Sequence, residues 1–177
     1  ALAQFDIDPT GWTCLDIGAS TGGFTDCLLQ HGAAKVWAVD VGHDQLAWKI
    51  RSDPRVVVRE KLNARYLTAA DIPDPIDLCV IDVSFISLTL ILPRAFELVR
   101  SQGVIIPLIK PQFELRKEDV GKGGVVRNPG LQDAAVEKIH VFVTETISAR
   151  WIGSMPSPIL GGEGNKEFLA CLRPASA

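Results

Sequence analysis

At 177 residues the chain has the length of one ordinary domain, able to bury roughly 70% of the surface its unfolded form exposes. Hydrophobic residues make up 47% and charged residues 22%, a globular balance that excludes disordered, collagen-like and disulfide-scaffold classes. Eighteen Lys and Arg stand against 21 Asp and Glu, a formal charge of −3, so no broad phosphate-attracting field surrounds the chain and any nucleic-acid affinity must be local or supplied elsewhere.

Ala1 to Phe5 reads as the tail of a helix that begins upstream, which makes the chain a single trimmed domain over 1–177. Thr13-Cys14-Leu15-Asp16-Ile17 is a short apolar strand, followed by the tight turn Gly18 to Gly23 and a helix over Phe24 to His31 that Gly32 ends. Lys35 to Val39 forms a second strand ending at Asp40, Gln45 to Arg51 a second helix, and Arg55 to Arg59 a third strand bounded by Pro54. Leu78 to Val83 is a fourth strand, Leu88 to Val99 a helix, and Gly103 to Ile109 a fifth strand. Lys110 to Pro129 carries Gly121, Gly123 and Gly124 without periodicity and reads as a mobile flap. Leu131 to Ala149 is a long helix, and Trp151 to Ser157 and Glu167 to Leu172 are two last strands joined by the Gly-rich loop Gly161 to Gly164. The alternation predicts an α/β fold: a doubly wound parallel sheet with right-handed crossovers, closed by a terminal hairpin that adds an antiparallel strand.

No apolar run, Val104 to Ile109 included, approaches the roughly 18–20 residues of a membrane span. Ala1 to Gln4 has neither the cationic start nor the apolar run of a leader. Cys14, Cys27, Cys79 and Cys171 lack metal-ligand spacing, so buried reduced thiols of a cytoplasmic protein are expected and no metal site.

In an open α/β sheet, ligands bind beyond the strand carboxyl ends where the strand order reverses, here after the first strand. Asp16, Gly18, Gly22, Gly23 and Asp40 converge there. The turn reads D-I-G-A-S-T-G-G, with G-x-x-x-G-G spacing, and Ser20 stands where a dinucleotide fingerprint needs its second glycine for close approach to a pyrophosphate. S-adenosylmethionine has no phosphate; its cationic sulfonium and zwitterionic tail suit a glycine turn with a nearby carboxylate, which Asp16 can provide. Asp40, 22 residues beyond Gly18, can accept both ribose hydroxyls. The residues also allow a plainer alternative, in which the glycines only make a turn and the aspartates cap helices.

A second constellation lies one βα unit apart. Asp82 follows Leu78-Cys79-Val80-Ile81, and Lys110 follows Val104-Ile105-Ile106-Pro107-Leu108-Ile109, so both reach the same sheet edge. Pro111 keeps the Lys110 backbone extended. A desolvated amine there could accept a proton. Glu167 would face the same crevice if its strand lies between neighbours, and the alternative is a structural ion pair.

These motifs together resemble the TlyA, or haemolysin A, family of FtsJ-like (RrmJ-like) ribosomal RNA 2′-O-methyltransferases. The resemblance runs from Trp12 to Leu172 through C-L-D-I-G-A-S-T-G-G-F-T, A-V-D-V-G with Q-L-A-W, D-V-S-F-I-S-L, K-P-Q-F-E and G-G-E-G-N-K-E-F. It implies a seven-stranded Rossmann-like fold whose last strand is antiparallel, S-adenosylmethionine as cofactor, ribosomal RNA or a ribosomal subunit as partner, and a cytidine 2′-hydroxyl as acceptor. Of the family's Lys-Asp-Lys-Glu set, Asp82 resembles the aspartate, Lys110 the second lysine and Glu167 the glutamate. The first lysine belongs ahead of the cofactor turn, where this chain has no Lys before Lys35, and a small N-terminal RNA-binding domain would precede it.

On this resemblance the cofactor candidates are Asp16, Gly18, Ala19, Ser20, Thr21, Gly22, Gly23, Phe24, Asp40, Val41, Gly42 and Asp82, with Gln45, Leu46 and Asn63 on the adenosine side. Phe24, Ser84 and Phe85 are expected to shape the pocket near the methionine end and the acceptor. His31, His43 and His140 read as surface or helix-end residues, and Trp12, Trp37, Trp48 and Trp151 as core. Lys117, Lys122 and Arg127 in the flap, with Lys61 and Arg65, suit RNA phosphates or solvent equally. Three other classes remain: a membrane-active haemolysin, for which no amphipathic agent is visible, a nicotinamide oxidoreductase, and a fragment that binds cofactor without reacting.

Overall fold

Thr13–Ile17 (β1) is an almost unbroken apolar run, the pattern of a strand covered on both faces, and it lies inside the sheet. A computed structural model, which describes residues 1–175, arranges six more strands around it: β2 (Lys35–Val39), β3 (Val56–Arg59), β4 (Ile76–Ile81), β5 (Val99–Ile109), β6 (Arg150–Pro156) and β7 (Phe168–Arg173). Their order is β3-β2-β1-β4-β5-β7-β6. The first five pair in parallel, and β7 runs antiparallel to both β5 and β6. The expected doubly wound sheet is therefore present, and its terminal hairpin folds back so that β7 enters between β5 and β6. The order reverses between β1 and β4, which opens a crevice at their carboxyl ends.

Side chains alternate across the sheet. Leu15 and Ile17 enter one apolar layer under α3 (Leu92–Leu98) and α5 (Pro129–Val141), whereas Cys14 enters the other, under α1 (Gly23–Gln30) and α2 (Trp48–Arg51). Cys14, Cys79 and Cys171 are buried, but Cys27 is exposed on α1, contrary to the expectation for all four.

Several elements depart from the sequence reading for physical reasons. The second helix is one turn, not Gln45 to Arg51, because Ala47 stays extended and donates its N–H to the Thr21 carbonyl (3.1 Å). That short turn buries only Ile50, so Trp48 is 79% exposed and does not join the core, whereas Trp37 does. The helix expected over Leu88 to Val99 divides into a 3₁₀ turn (Leu88–Leu90) and α3, at whose start lies Pro93, which cannot supply an N–H to a continuing helix. Asn128 caps α5 by accepting the Gly130 N–H (2.9 Å), and the helix gives way to a π turn at Phe142–Thr146 instead of running to Ala149.

The stretch read as a mobile flap is tied down. It opens with α4 (Pro111–Glu114), whose Glu114 is buried, and ends on buried Val125 and Val126. Asn165, 2% exposed, accepts from Val126 N–H (3.0 Å) and donates to the carbonyls of Gly124 (2.9 Å) and Gly162 (3.2 Å). Side chains far away in sequence supply the order that this stretch's own pattern lacks.

Candidate active site

The turn after β1 is built around Gly18. Its φ is +87°, and a Cβ there would overlap the Asp82 carbonyl oxygen, so only glycine lets β1 and β4 close at their tips. The N–H groups of Gly18 and Ala19 both donate to the Val39 carbonyl, at 2.8 and 3.0 Å. Asp40 then receives the N–H of Ser20 on Oδ2 (2.8 Å) and of Gly42 on Oδ1 (2.7 Å). Two backbone donors fix this carboxylate while leaving about two of its lone-pair positions for a ligand.

A cleft of about 450 Å³ extends from there across the switch point, within the size range of nucleoside and cofactor pockets. Gly18, Ser20, Asp40, Val41, Gly42, Gln45 and Asn63 line one side, and Asp82, Ser84 and Phe85 the other. Not every candidate faces it. Ala19 is buried, Gly22 lies against Leu46 and Ile50, and Thr21 is occupied through its carbonyl by Ala47. Gly23 begins α1, and Leu46 is buried rather than lining. Phe24, expected to shape this pocket, instead lines a separate apolar cavity of about 310 Å³ with Leu28, Val80, Ile106 and Leu169; α1 turns its ring to the opposite side. None of Lys61, Arg65, Lys117, Lys122 and Arg127 lines the cleft, and all five are exposed.

Asp16 lies beneath the turn, fully buried. Thr25 Oγ1 donates to its Oδ2 (2.7 Å), and Oδ1 has no partner. Burial pushes its pKa up to about 7, with the Thr25 bond opposing and the Asp82 and Asp40 charges adding to the rise. Because the folded state holds this proton where an unfolded Asp has lost it, the group's contribution to stability is greatest in acid and declines from about pH 4 to pH 7. Asp16→Asn should therefore flatten the stability-versus-pH curve across that window, measured by urea titration; an unchanged slope would place the titration elsewhere.

Of the catalytic candidates, Lys110 and Asp82 meet. Lys110 Nζ lies 2.6 Å from Asp82 Oδ1 and donates to Ser84 Oγ at 3.1 Å. The Asp82 contact is ionic rather than an aligned hydrogen bond, since Oδ1 is otherwise buried without a donor. Glu167, immediately ahead of β7, is 5% exposed. Burial raises its pKa, and a bond from Gln112 Nε2 (3.2 Å) and the Lys110 charge oppose that rise. Its carboxyl group leans on Gly161, where a Cβ would overlap it. Sequence reasoning missed Gln112 and the Ser84 contact with Lys110; the signal available was their placement two residues after Lys110 and Asp82. Phe85 is 90% exposed at φ 62°, with its ring 5.0 Å from that of Phe113.

Compared with known proteins, residues 1–174 match the model of the FtsJ-like methyltransferase family. The chain belongs to that family. It is 48% identical over 98% of its length to a Mycobacterium tuberculosis protein described as 16S/23S rRNA (cytidine-2′-O)-methyltransferase TlyA, and spans 64% of that relative. A Brachyspira hyodysenteriae protein called Hemolysin A is 44% identical, with 96% of this chain matched and 71% of the relative covered. A Lactococcus lactis protein whose crystal structure carries a provisional hemolysin name superposes with a TM-score of 0.93 at 49% identity, over 97% of this chain and 82% of the other. The fold is also that of S-adenosylmethionine-dependent methyltransferases, as in a Mesorhizobium loti structure (TM-score 0.63, 14% identity, 97% and 95% covered).

Proposed function

We propose that this chain is the catalytic domain of an S-adenosylmethionine-dependent ribosomal RNA (cytidine) 2′-O-methyltransferase. The observation that carries the reading is the Lys110 amine, held by Asp82 and Ser84, two residues of a cleft that the backbone-fixed Asp40 also lines. The residues fit the cofactor: Asp40 retains acceptor capacity for ribose hydroxyls, and the acidic Asp82, which lines the cleft, suits a cationic group. Gly18, Ser20, Val41, Gly42, Gln45 and Asn63 would hold it, and it would supply an electrophilic methyl group when bound.

Lys110, as the free amine, takes or orients the proton of the attacking ribose hydroxyl, whose oxygen would receive the methyl group that the cofactor supplies. Asp82 and Ser84 fix the amine in place, and Glu167 stands beside it as a second acid. Phe85, almost wholly exposed on the cleft wall, offers an apolar face to the acceptor nucleotide. Positioning of this kind supplies much of the rate in such displacements. The chain spans 64% of the length of its Mycobacterium tuberculosis relative, so the assay uses the intact protein.

Titration calorimetry should detect S-adenosylmethionine and not NADH. Ribosomal RNA or subunits incubated with the labelled cofactor should then carry the label on a cytidine 2′-oxygen. Binding of NADH alone, or no label on RNA, overturns the reading. Among the described residues no helix is long and apolar enough to cross a membrane; leakage of vesicles caused by the protein without cofactor would support the membrane-active alternative.

A further inference from the structure

We infer that Glu114 is a positioning residue for the proposed methyl transfer, setting the separation of Lys110 from Asp82 and the seating of Phe85 on Phe113. The inference rests on the methyltransferase reading and assigns a role to the one acidic residue of the K-P-Q-F-E motif.

The Glu114 side chain is 1% exposed, and a carboxylate removed that far from water persists only where donors meet its lone pairs. Three do. Ser87 Oγ donates to Oε2 (2.6 Å), Leu88 N–H to Oε1 (2.7 Å) and Lys138 Nζ to Oε2 (3.0 Å), and Lys138 Nζ also reaches the Glu114 carbonyl (2.6 Å). Glu114 closes α4, which starts on the residue after Lys110, while Ser87 and Leu88 begin the 3₁₀ turn that follows Asp82-Val83-Ser84-Phe85. One carboxylate therefore ties the segment behind Lys110 to the segment behind Asp82.

That tie lies where the sheet can no longer supply one. The β4–β5 ladder ends at Ile81 paired with Pro107, so beyond it no strand pairing sets the distance between the two tips. Within the bridged region Lys110 Nζ sits 2.6 Å from Asp82 Oδ1, and the Phe85 ring packs on that of Phe113 with planes tilted by 50°. Phe85 is held at φ 62°, a conformation that costs a bulky residue about 1–3 kcal/mol and survives only where its surroundings over-determine it. Glu114 thus acts through two groups on one side of the cleft, the Lys110 amine beside Asp82 and the Phe85 ring.

The test uses Glu114→Gln, Ser87→Ala and their combination in the intact protein, with ribosomal RNA as substrate and Val143→Ala, a buried change in the π turn after α5, as a stability control. Glu114→Gln is expected to lower kcat by roughly 10- to 100-fold, with the RNA KM and the S-adenosylmethionine Kd changed less than about threefold. Ser87→Ala should lower kcat less, and the pair should be no slower than Glu114→Gln, because both act through one contact. Val143→Ala, compared at equal loss of Tm, should keep kcat within about twofold, as expected of a change remote from the site. The inference is overturned if Glu114→Gln turns over like wild type, or if Val143→Ala loses as much kcat at the same Tm. Should Glu114→Gln fail to fold, an unchanged kcat for Ser87→Ala overturns it equally. Wild-type protein that methylates no RNA refutes the underlying reading instead, and this inference with it.

Discussion

Lys110→Ala in the intact protein is expected to lower methyl transfer to RNA by roughly 10²–10⁴-fold, the usual reach of a positioned acid–base group, while S-adenosylmethionine affinity stays within a few fold. The amine touches Asp82 and Ser84 but does not line the cleft where the cofactor candidates gather. Its side chain is 13% exposed, so water cannot readily take its place. Loss of the cation strands Asp82 Oδ1, which has no hydrogen-bond donor, although an Asp82 side chain 35% exposed can still be hydrated. Arginine is no conservative substitute: its wide guanidinium does not fit a point-charge site and cannot shed a proton near neutral pH. Single-turnover transfer of labelled methyl groups, alongside calorimetry, separates the two quantities. Turnover retained in Lys110→Ala would remove the lysine from the chemistry, and loss of cofactor binding would make it a cleft residue.

Gly18→Ala should damage both fold and binding. The left-handed φ of +87° alone costs a non-glycine residue about 1–2 kcal/mol. The added methyl also overlaps the Asp82 backbone carbonyl, at a β4 tip that the Asp82 N–H holds against β1 through the Ile17 carbonyl (2.9 Å). Together these predict a loss of more than about 3 kcal/mol, or roughly 10 °C in Tm for a domain of this size. Opening the β1 and β4 tips would also move Asp82 and Ser20 apart, so cofactor binding should weaken beyond what melting explains. Gly23→Ala, where a Cβ meets nothing within 4 Å, is the matched control. A Gly18→Ala protein that melts with wild type would mean the tips can separate freely, against the close packing drawn here.

The part of this site legible in sequence was the part carried by strand ends. β2, β4 and β5 are buried on both faces and so read as apolar runs, and the residue after such a run must emerge at the sheet edge. Asp40, Asp82 and Lys110 follow from that geometry. Glu167 depended on a condition, that its strand enter between two others, and β7 meets it by lying between β5 and β6.

What pattern could not reveal was anything decided by a partner distant in the chain. Order in the stretch after Lys110 comes from Glu114 bonding to Ser87 and Leu88 and from Asn165 bonding to Val126, contacts 26 to 39 residues apart that leave no periodic trace. Phe24 looked like a pocket residue because it follows the glycine turn, yet helix rotation sends its ring to a different cavity. Trp48 looked like core because tryptophan usually is, and a one-turn helix left it in solvent.

Residue order alone thus determined the α/β alternation, the switch point after β1 and the acids and lysine set along its rim, because local periodicity and burial of strands are written directly in residue types. Only the tertiary structure decided which of the turn residues face the cleft, that Asp16 sits dry beneath it, and that a single buried carboxylate spans the gap between two strand tips. Those depend on distances between segments that share no local pattern, and such distances exist only once the chain is folded.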